Sequence, residues 1–222
     1  MTKKEEAEQK RRARLKKEQE RVEELCHFEK LYWKEYPYIA GIDEVGRGPF
    51  AGPVMTAAVI LPPDCRIMHI NDSKKLSPKR REELYLEIKE KALAIGIGRV
   101  EPDEIDCINI LQATYKAMRE AVSKLEIPPD MLLIDAVHIP ELDIKQVSIV
   151  KGDAKSQSIA AASIIAKVTR DHIMEEYDKI YPGYEFAANK GYGTAAHIRA
   201  LKDMGPCPIH RKSFIHNYVN TL

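Results

Sequence analysis

The sequence predicts an α/β protein built on a mixed β-sheet. Two apolar, β-branched stretches, "YIAGIDE" and "PVMTAAVIL", follow each other across a Gly-rich turn and are typical of adjacent strands. Farther along the chain, short strand patterns alternate with long amphipathic helix patterns. Strands first and strand–helix alternation afterwards are the arrangement of an α/β layer. The length of 222 residues fits one such domain with an appendage.

Bulk composition is ordinary for a globular protein, with 44% hydrophobic and 31% charged residues and a net charge of +1. No apolar run approaches the roughly 18 residues of a membrane span, so we expect no membrane association. Four widely spaced cysteines form no CxxC pair, which favours a reducing, cytoplasmic setting. The near-zero net charge gives no global signal for nucleic acid, although metal-binding acids would cancel a basic groove in the sum.

Residues 1–37 predict a charged helical arm ahead of a domain at 38–222. Lys, Arg, Glu and Gln dominate residues 3–34, with opposite charges at helical i,i+4 spacing, and Pro37 ends the pattern. A solvated appendage without chemistry is the expected role, because charge runs usually only solvate a helix. The few apolar residues near its end could dock on the domain; they are Val22, Leu25, Phe28, Leu31 and Trp33. An arm that binds a partner or nucleic acid is the alternative.

The middle of the domain predicts a helix, a strand and a second helix. Ser77 is a candidate N-cap for the first helix, "PKRREELYLEIKEKALAI". Its apolar stripe consists of Leu84, Ile88 and Leu93. "GIGRVE" is typical of a short strand, and apolar residues at every third or fourth position predict one helix over residues 102–125.

The second half of the domain predicts two strands that end in acids, followed by helices. "MLLIDA" (131–136) is a compact apolar strand, and "KQVSIVKGD" repeats the design with Asp153. The helix at 156–181 begins with small apolar residues nearly all round, which indicates burial against the sheet. Asp171 within it is expected to pair with a basic neighbour on the same helix. A shorter helix is predicted near 195–204.

Carboxylates end three of the predicted strands, namely Asp43 with Glu44, Asp135 and Asp153. Sites in α/β sheets collect at strand ends, and clustered ionised carboxylates are costly to bury unless a cation compensates them. Hard oxygen ligands favour Mg²⁺ or Mn²⁺ over zinc. Two such ions suit phosphoryl transfer by in-line displacement. One strand-terminal Asp is usually only a turn residue, so the number of acids carries the prediction.

Gly46 and Gly48 flank Arg47 directly after the first two acids. Glycine lets a ligand approach the main chain, so the amides of this loop would face whatever the metal site holds. A ribose 2′-hydroxyl, which separates RNA from DNA, is a natural partner. The alternative is a tight connection between two strands.

Three further segments could contact nucleic acid. "NDSKKLSPKRR" concentrates Lys74 and Lys75 at a loop and helix start, where phosphate can bind, although a solvated helix end is an alternative. Tyr192 lies between glycines and could stack on a base or sugar, or pack on its own domain. "HRKSF" adds a basic cluster near the end of the chain. His210 in it is expected to lie on the surface or contact phosphate.

Taken together, these motifs resemble the bacterial ribonuclease HII family. The matching pieces, in the family's order across about residues 38–216, are "AGIDEVGRGPFAGPV", "NDSKKLS", "EPDEIDCINILQAT", "LIDA", "KGDAKSQSIAAASIIAKVTRD", "NKGYGT" and "HRKSF". The resemblance implies the ribonuclease H-like fold: a mixed five-stranded sheet with its first three strands antiparallel, flanking helices and a C-terminal helical segment. A charged N-terminal helix would precede it.

The resemblance also implies an activity. It is metal-dependent endonucleolytic hydrolysis of the RNA strand of RNA/DNA hybrids, with Mg²⁺ or Mn²⁺. It includes incision on the 5′ side of a single ribonucleotide in duplex DNA, which leaves a 3′-hydroxyl and a 5′-phosphate and starts ribonucleotide excision repair. The expected partners are RNA/DNA hybrid and ribonucleotide-containing duplex DNA. A monomer in the cytoplasm is expected.

The family's four metal-site acids map onto Asp43, Glu44, Asp135 and Asp153. By analogy with related two-metal nucleases, Asp43 would bridge both ions, and Asp153 would help hold the ion that activates water. Glu44 and Asp135 would hold the ion at the leaving group. The acid in "KGDAKS" is Asp, which fits the HII type better than HIII, where Glu takes that role.

The substrate-binding residues follow from the same resemblance. The loop of Gly46, Arg47 and Gly48 would read the 2′-hydroxyl and the RNA–DNA junction. Tyr192 would stack on the deoxyribose that follows the ribonucleotide. The expected phosphate contacts are Lys74, Lys75 and Arg211.

Two other functions remain open from the sequence. The first is a non-catalytic nucleic-acid-binding module of the same fold, whose signature would be loss of an acid, and none of the four is missing. The second is another two-metal phosphoryl-transfer enzyme, such as a strand transferase or nucleotide hydrolase. The Gly-Arg-Gly loop and the absence of a GxxxxGK[ST] phosphate loop argue against it.

Overall fold

A five-stranded mixed sheet forms the centre of the structure, a computed structural model that describes residues 3–219. The strands are β1 (Ile39–Val45), β2 (Val54–Ile60), β3 (Ala94–Val100), β4 (Met131–Asp135) and β5 (Lys145–Ile149). They lie in the order β3–β2–β1–β4–β5. The first three are antiparallel, and β4 is parallel to both β1 and β5. The predicted mixed sheet is confirmed. Residues 1–2 of the predicted arm and 220–222 of the predicted domain lie outside the described residues.

Helices cover the sheet, and further helices lie before the first strand and near the end of the chain. Within residues 3–219 they are α1 (Lys3–Leu25), α2 (His27–Tyr32), α3 (Pro78–Lys91), α4 (Pro102–Ser123), α5 (Gln157–Ile180), α6 (Phe186–Asn189), α7 (Ala195–Met204) and α8 (Lys212–Ile215). Single 3₁₀ turns lie at Ser73–Lys75 and Gly152–Ala154. No helix of the described part is long and apolar enough to cross a bilayer.

The two faces of the sheet are covered by different helices because successive strand residues point to opposite sides. Ala40 and Ile42 pack in a core with Met118 of α4. On the other face α5 approaches β1 so closely that a Cβ on Gly41 would lie 2.1 Å from the main-chain carbon of Ser158. The small residues predicted at the start of this helix allow that approach, which brings α5 next to the end of β1.

Two predicted helix details are corrected by the structure. The helix α3 ends at Lys91, so Leu93 lies beyond it, 41% exposed, with its N–H bonded to the carbonyl of Ile60. The helix α4 is not continuous, because Asn109 has φ +66° and its side chain accepts from two later main-chain N–H groups. The side chain of Asn109 thereby caps the second half of the helix, a local feature that hydrophobic periodicity does not reveal.

The arm breaks into two helices at Cys26, and its second half packs on the domain. Val22 and Leu25 are buried, and Leu25 belongs to the core formed with α3 and α5. The side chain of Arg21 donates to the carbonyl of Ile70 at 2.7 Å. The contacts from the arm to the domain that the structure describes begin at Glu18. A division at residues 1–37 and 38–222 stays a prediction.

Candidate active site

The strand pairing brings two of the predicted acids together. β1 and β4 run parallel with Ile42 beside Ile134, so Asp43 and Asp135 occupy the next position on neighbouring strands. Asp135 Oδ1 accepts a hydrogen bond from the main-chain N–H of Gly152 at 2.7 Å. This bond places the turn of Gly152–Ala154, and therefore Asp153, beside the end of β4. Acids from three distant parts of the chain meet at one edge of the sheet.

Asp43 is the most buried of the strand-end acids, at 7% exposure. Burial raises its pKa well above the ordinary value, and the negative charges of Glu44 and Asp135 raise it further. A hydrogen bond with Ser163 on α5 and the N–H of Glu44, at 2.8 Å, oppose the shift only in part. When Asp43 is ionised, the surrounding protein therefore does not fully compensate its negative charge.

Glu44 lies at the same strand end with its own partner. Burial raises its pKa, while Arg47, whose guanidinium is 3.4 Å from Glu44 Oε1, lowers it in part. The side chain of Arg47 is 43% exposed, so its guanidinium remains accessible from solvent. The Gly-Arg-Gly loop is thus connected directly to the acid cluster.

A fifth acid, Asp72, joins the cluster although sequence reasoning missed it. It caps the turn of Ser73–Lys75 by accepting from the N–H of Lys74 at 2.9 Å, and its carboxylate is close enough to Asp153 to affect the pKa of that acid. Burial raises the pKa of Asp153, and the charges of Asp72 and Asp135 add to the rise. The sequence signal for Asp72 was its position as an acid at a capping site in "NDSKKLS", directly before the two lysines.

Of the two predicted phosphate-binding lysines, Lys74 is the one close to the acids. Burial alone would lower the pKa of Lys74, but the carboxylates, with Asp43 first among them, outweigh burial and raise it. Lys75 is 61% exposed, with its Nζ 4.0 Å from Asp72 Oδ2. Ser73 between this loop and α5 is buried and hydrogen-bonded to Ser163 at 2.9 Å. Ser163 also interacts with Asp43, so one residue of α5 contacts both the lysine loop and the acids.

Arg211 does not contact solvent, which corrects its prediction as a phosphate contact. It is fully buried, and its guanidinium donates to the carbonyls of Gly46 at 2.6 Å, Arg47 at 3.0 Å and Gly52 at 2.8 Å. A buried guanidinium with these acceptors has no free donor surface for a phosphate. Arg211 instead fixes the main chain of the Gly-Arg-Gly loop from the protein interior.

A second buried arginine, Arg170 of α5, completes this support and was not predicted. It donates to the carbonyls of Pro53, Ala51 and Lys190 at 2.8–3.0 Å. Burial lowers the pKa of Arg170 to about 10 and that of Arg211 to about 9. In residues 3–219 neither has a carboxylate within ion-pair distance. Main-chain carbonyls therefore stabilise both cations.

Gly46 must be glycine at its place in the loop. Its φ is +88°, and a Cβ there would lie 2.4 Å from Nε of Arg170. Gly48 differs, because a Cβ on it would meet only Cε1 of Tyr192, at 3.8 Å. The loop and the tyrosine are therefore neighbours. Tyr192 is 46% exposed, so its ring is open to solvent beside this loop.

His210 is buried, which corrects its prediction as a surface or phosphate-contacting histidine. Its exposure is 2%, and burial lowers its pKa to about 4, so the ring is neutral at pH 7. Its Nδ1 accepts from the N–H of Cys207, and its Nε2 lies 2.9 Å from Nε2 of His197. His197 Nδ1 then bonds the carbonyl of Tyr192 at 2.9 Å. The two rings support the tyrosine loop from inside.

The predicted structural role of Asp171 is confirmed, because it pairs with Lys167 on the same helix at 2.7 Å.

The four predicted acids fit a divalent cation by their chemistry. All offer hard carboxylate oxygens, and the raised pKa values of Asp43, Glu44 and Asp153 show negative charge that a cation would compensate. Among residues 3–219, no group of three or more His, Cys, Asp or Glu side chains is already arranged to hold an ion. Protein groups engage the oxygens instead, such as Gly152 N–H on Asp135.

Comparison with known proteins identifies the family. The family model described as Ribonuclease HII matches residues 40–217. The chain belongs to the ribonuclease HII family. The Ribonuclease HII of Lachnoclostridium phytofermentans is 62% identical over 204 residues, which are 92% of this chain and 80% of that protein. As a ribonuclease HII family member, the chain is an RNase H enzyme, in agreement with the predicted activity class.

Solved ribonuclease HII structures share the fold. The ribonuclease H2 from Pyrococcus horikoshii OT3 superposes with a TM-score of 0.69 at 27% identity, over 82% of this chain and 96% of that one. The ribonuclease HII of Archaeoglobus fulgidus, solved in a complex with PCNA, gives 0.67 at 26% identity, over 83% and 98%. The ribonuclease H-like fold predicted for the chain is confirmed.

Proposed function

We propose that the chain hydrolyses the RNA strand of RNA/DNA hybrids and incises 5′ of a single ribonucleotide in duplex DNA, leaving a 3′-hydroxyl and a 5′-phosphate. One juxtaposition supports this substrate. The Gly-Arg-Gly loop starts beside Asp43 and Glu44, and the ring of Tyr192 lies 3.8 Å from the Cβ position of Gly48. The loop that would bind the ribose 2′-hydroxyl therefore lies next to the acids at one end and next to the Tyr192 ring, a candidate stacking surface, at the other.

The acids would act by holding two divalent ions, Mg²⁺ or Mn²⁺. Bound ions of this kind activate water and stabilise the leaving oxygen in an in-line displacement at phosphorus. Asp43, with a neighbour on either side, would hold both ions, and Asp153 would hold the one beside the attacking water. Glu44 and Asp135 would hold the one beside the 3′-oxygen that leaves. The raised pKa values of Asp43, Glu44 and Asp153 support a cation site at this cluster, because a bound cation would offset the burial and like charge that raise them.

The loop of residues 46–48 would recognise the ribonucleotide through its main chain and Arg47. Arg211 engages the carbonyls of Gly46 and Arg47. This support leaves the opposite edge of the loop for the 2′-hydroxyl, the group that distinguishes RNA from DNA at one nucleotide. Arg47 keeps an accessible guanidinium near Glu44 for a phosphate or a sugar oxygen.

Tyr192 and the two lysines would position the rest of the duplex. A half-exposed aromatic ring on a rigid loop suits stacking on the deoxyribose that follows the ribonucleotide. Lys75 points to solvent and Lys74 lies nearer the acids, so both can contact backbone phosphates. We also infer a monomer that works in the cytoplasm, where its four free cysteines stay reduced. Sedimentation of the purified chain tests the monomer.

Cleavage mapping tests the proposed function. The test substrate is a DNA duplex that contains one ribonucleotide. With Mg²⁺ or Mn²⁺, the wild-type chain is expected to cut this duplex on the 5′ side of the ribonucleotide and to leave an all-DNA duplex intact. Asp43→Asn is expected to lower kcat by at least about 100-fold, since metal-site charge contributes several kcal/mol to the transition state. An intact single-ribonucleotide duplex under both metals, with cleavage of a long hybrid, would limit the function to hybrids.

A further inference from the structure

We propose that Glu29, in the N-terminal arm, is a positioning residue for the segment that carries Asp153. Its carboxylate is 1% exposed although the surrounding arm is highly charged. Glu29 Oε1 accepts from Ser156 Oγ at 2.6 Å, and from the N–H and Oγ of Ser158, both at 2.8 Å. Both serines lie at the start of α5, so the arm contacts the element that follows Asp153 directly.

Two hydrogen bonds lead from Ser156 to Asp135. Ser156 caps α5, and its own N–H donates to the carbonyl of Gly152 at 2.8 Å. The N–H of Gly152 donates to Asp135 Oδ1 at 2.7 Å. Asp153 lies between Gly152 and Ser156 in the chain. A shift of Ser156 would therefore move Asp153 and loosen the hydrogen bond on Asp135.

The negative charge of Glu29 is favourable at the N-terminus of α5, but one of its two carboxylate oxygens has no hydrogen-bond partner. The N-terminus of the 24-residue α5 favours an anion, and hydrogen bonds to an ionised acceptor are stronger than neutral ones. Glu29 Oε2, however, is buried without a hydrogen-bond partner, which costs free energy. A well-packed apolar side chain would avoid this cost. Placement of Ser156 accounts for Glu29 better than stability alone does.

The arm contacts the other acid-bearing turn as well. Glu18 Oε1 accepts from the N–H of His69 at 2.7 Å, and Arg21 donates to the carbonyl of Ile70. Asp72 follows Ile70 by two residues and is a close neighbour of Asp153, whose pKa it raises. The arm therefore contacts both the segment that carries Asp72 and the segment that carries Asp153. Glu29 makes the contact on the Asp153 side, and that contact is buried.

Point variants of the full-length chain test the proposal, which rests on the proposed metal-site role of Asp153. Glu29→Ala is expected to lower kcat on an RNA/DNA hybrid about 10-fold and to raise the Mn²⁺ concentration for half-maximal rate, as variants behind metal ligands do. The KM for hybrid should not change. Glu29→Gln keeps an oxygen acceptor for Ser158 and is expected to recover most of kcat. Glu24→Ala, which removes an exposed acid of the same arm, is the matched control.

Rates per folded molecule, with folding measured by urea unfolding, separate positioning from packing. Glu29→Ala with wild-type kcat and Mn²⁺ dependence per folded molecule would overturn the proposal. If Glu29→Ala does not fold, Glu29→Asp, whose carboxylate is withdrawn by one methylene, is expected to fold with reduced kcat, and wild-type rates would overturn the proposal. An active Asp153→Asn would overturn the site assignment and this inference with it. An inactive Asp153→Asn beside an unaffected Glu29→Ala would overturn this inference alone.

Discussion

At the scale of single residues, buried charge determines how the acid cluster behaves. Asp43 is almost fully enclosed between the sheet and α5, with Glu44 and Asp135 as negative neighbours. Desolvation and like charge both favour the protonated carboxyl over the carboxylate. A divalent cation reverses both effects, because it supplies the positive charge that the protein itself does not.

The raised pKa of Asp43 predicts a pH-dependent stability in the absence of metal. The folded chain binds this proton more tightly than the unfolded chain, whose Asp has the ordinary pKa of 3.8. The contribution of Asp43 to the free energy of unfolding therefore falls as pH rises from 3.8 through the raised value. Asp43→Asn lacks this proton, so its stability should decline less with pH. Urea unfolding in EDTA across a pH series measures both proteins, and parallel curves would contradict the prediction.

The two loop glycines predict opposite outcomes for the same substitution. Gly46→Ala places a methyl group against Arg170 at a φ of +88°, so we expect the free energy of unfolding to fall by about 1–3 kcal/mol. Gly48→Ala has room for its Cβ, and a change within about 0.5 kcal/mol is expected. Urea unfolding compares the two variants. Equal losses would show that the loop does not depend on the backbone conformation of Gly46.

At the scale of elements, buried cations connect segments that are far apart in the chain. Arg211 precedes α8 and holds the carbonyls of the loop after β1, while Arg170 of α5 holds Pro53 and Lys190. The Gly-Arg-Gly loop and the Tyr192 loop therefore share one internal support. A guanidinium suits this role because its planar fork of donors reaches several carbonyls at once.

Arg211→Lys tests whether that fork is required. A lysine ammonium is a point charge and cannot match the donor directions of the guanidinium, so carbonyls of the loop would be left unpaired. We expect the free energy of unfolding to fall by at least about 2 kcal/mol and KM for the single-ribonucleotide duplex to rise. Thermal melting and steady-state cleavage measure the two effects. Lys212→Arg, at an exposed neighbour, is the control, and wild-type behaviour of Arg211→Lys would refute the support role.

At the scale of the whole molecule, the arm divides into a solvated half and an attached half. Residues 3–17 are exposed or nearly so, whereas Val22, Leu25 and Glu29 are buried against the domain. The predicted solvated appendage therefore describes only the first half. The second half is part of the body of the protein and reaches the two turns that carry Asp72 and Asp153.

Deletion of residues 1–16 is expected to leave the melting temperature, kcat and KM unchanged, because the described contacts of the arm with the domain begin at Glu18. This stretch is nevertheless rich in Lys and Arg. A KM that rises on deletion, with a weaker dependence on salt than in the full chain, would instead reveal phosphate contacts. Cleavage assays at several salt concentrations therefore decide between the solvated helix and the nucleic-acid arm.

Local chemistry along the chain was sufficient to predict the layered sheet and the acids at its strand ends. Apolar alternation, helical periodicity and capping residues act over a few positions, so the cap at Ser77 and the strand ending at Asp135 could be recognised from their neighbours alone. The family motifs added the roles of these acids. Local breaks such as Asn109 escaped because a single residue in the left-handed region leaves the apolar pattern intact.

Only the tertiary structure decided which charged residues face solvent and which are buried. Arg211 and Glu29 look like ordinary surface charges in their own segments, but their acceptors and donors lie 165 and 127 residues away. Burial and partner choice depend on how the helices pack on the sheet, and no local pattern encodes that. For the same reason Asp72 became visible as a member of the acid cluster only when its turn was seen beside Asp153.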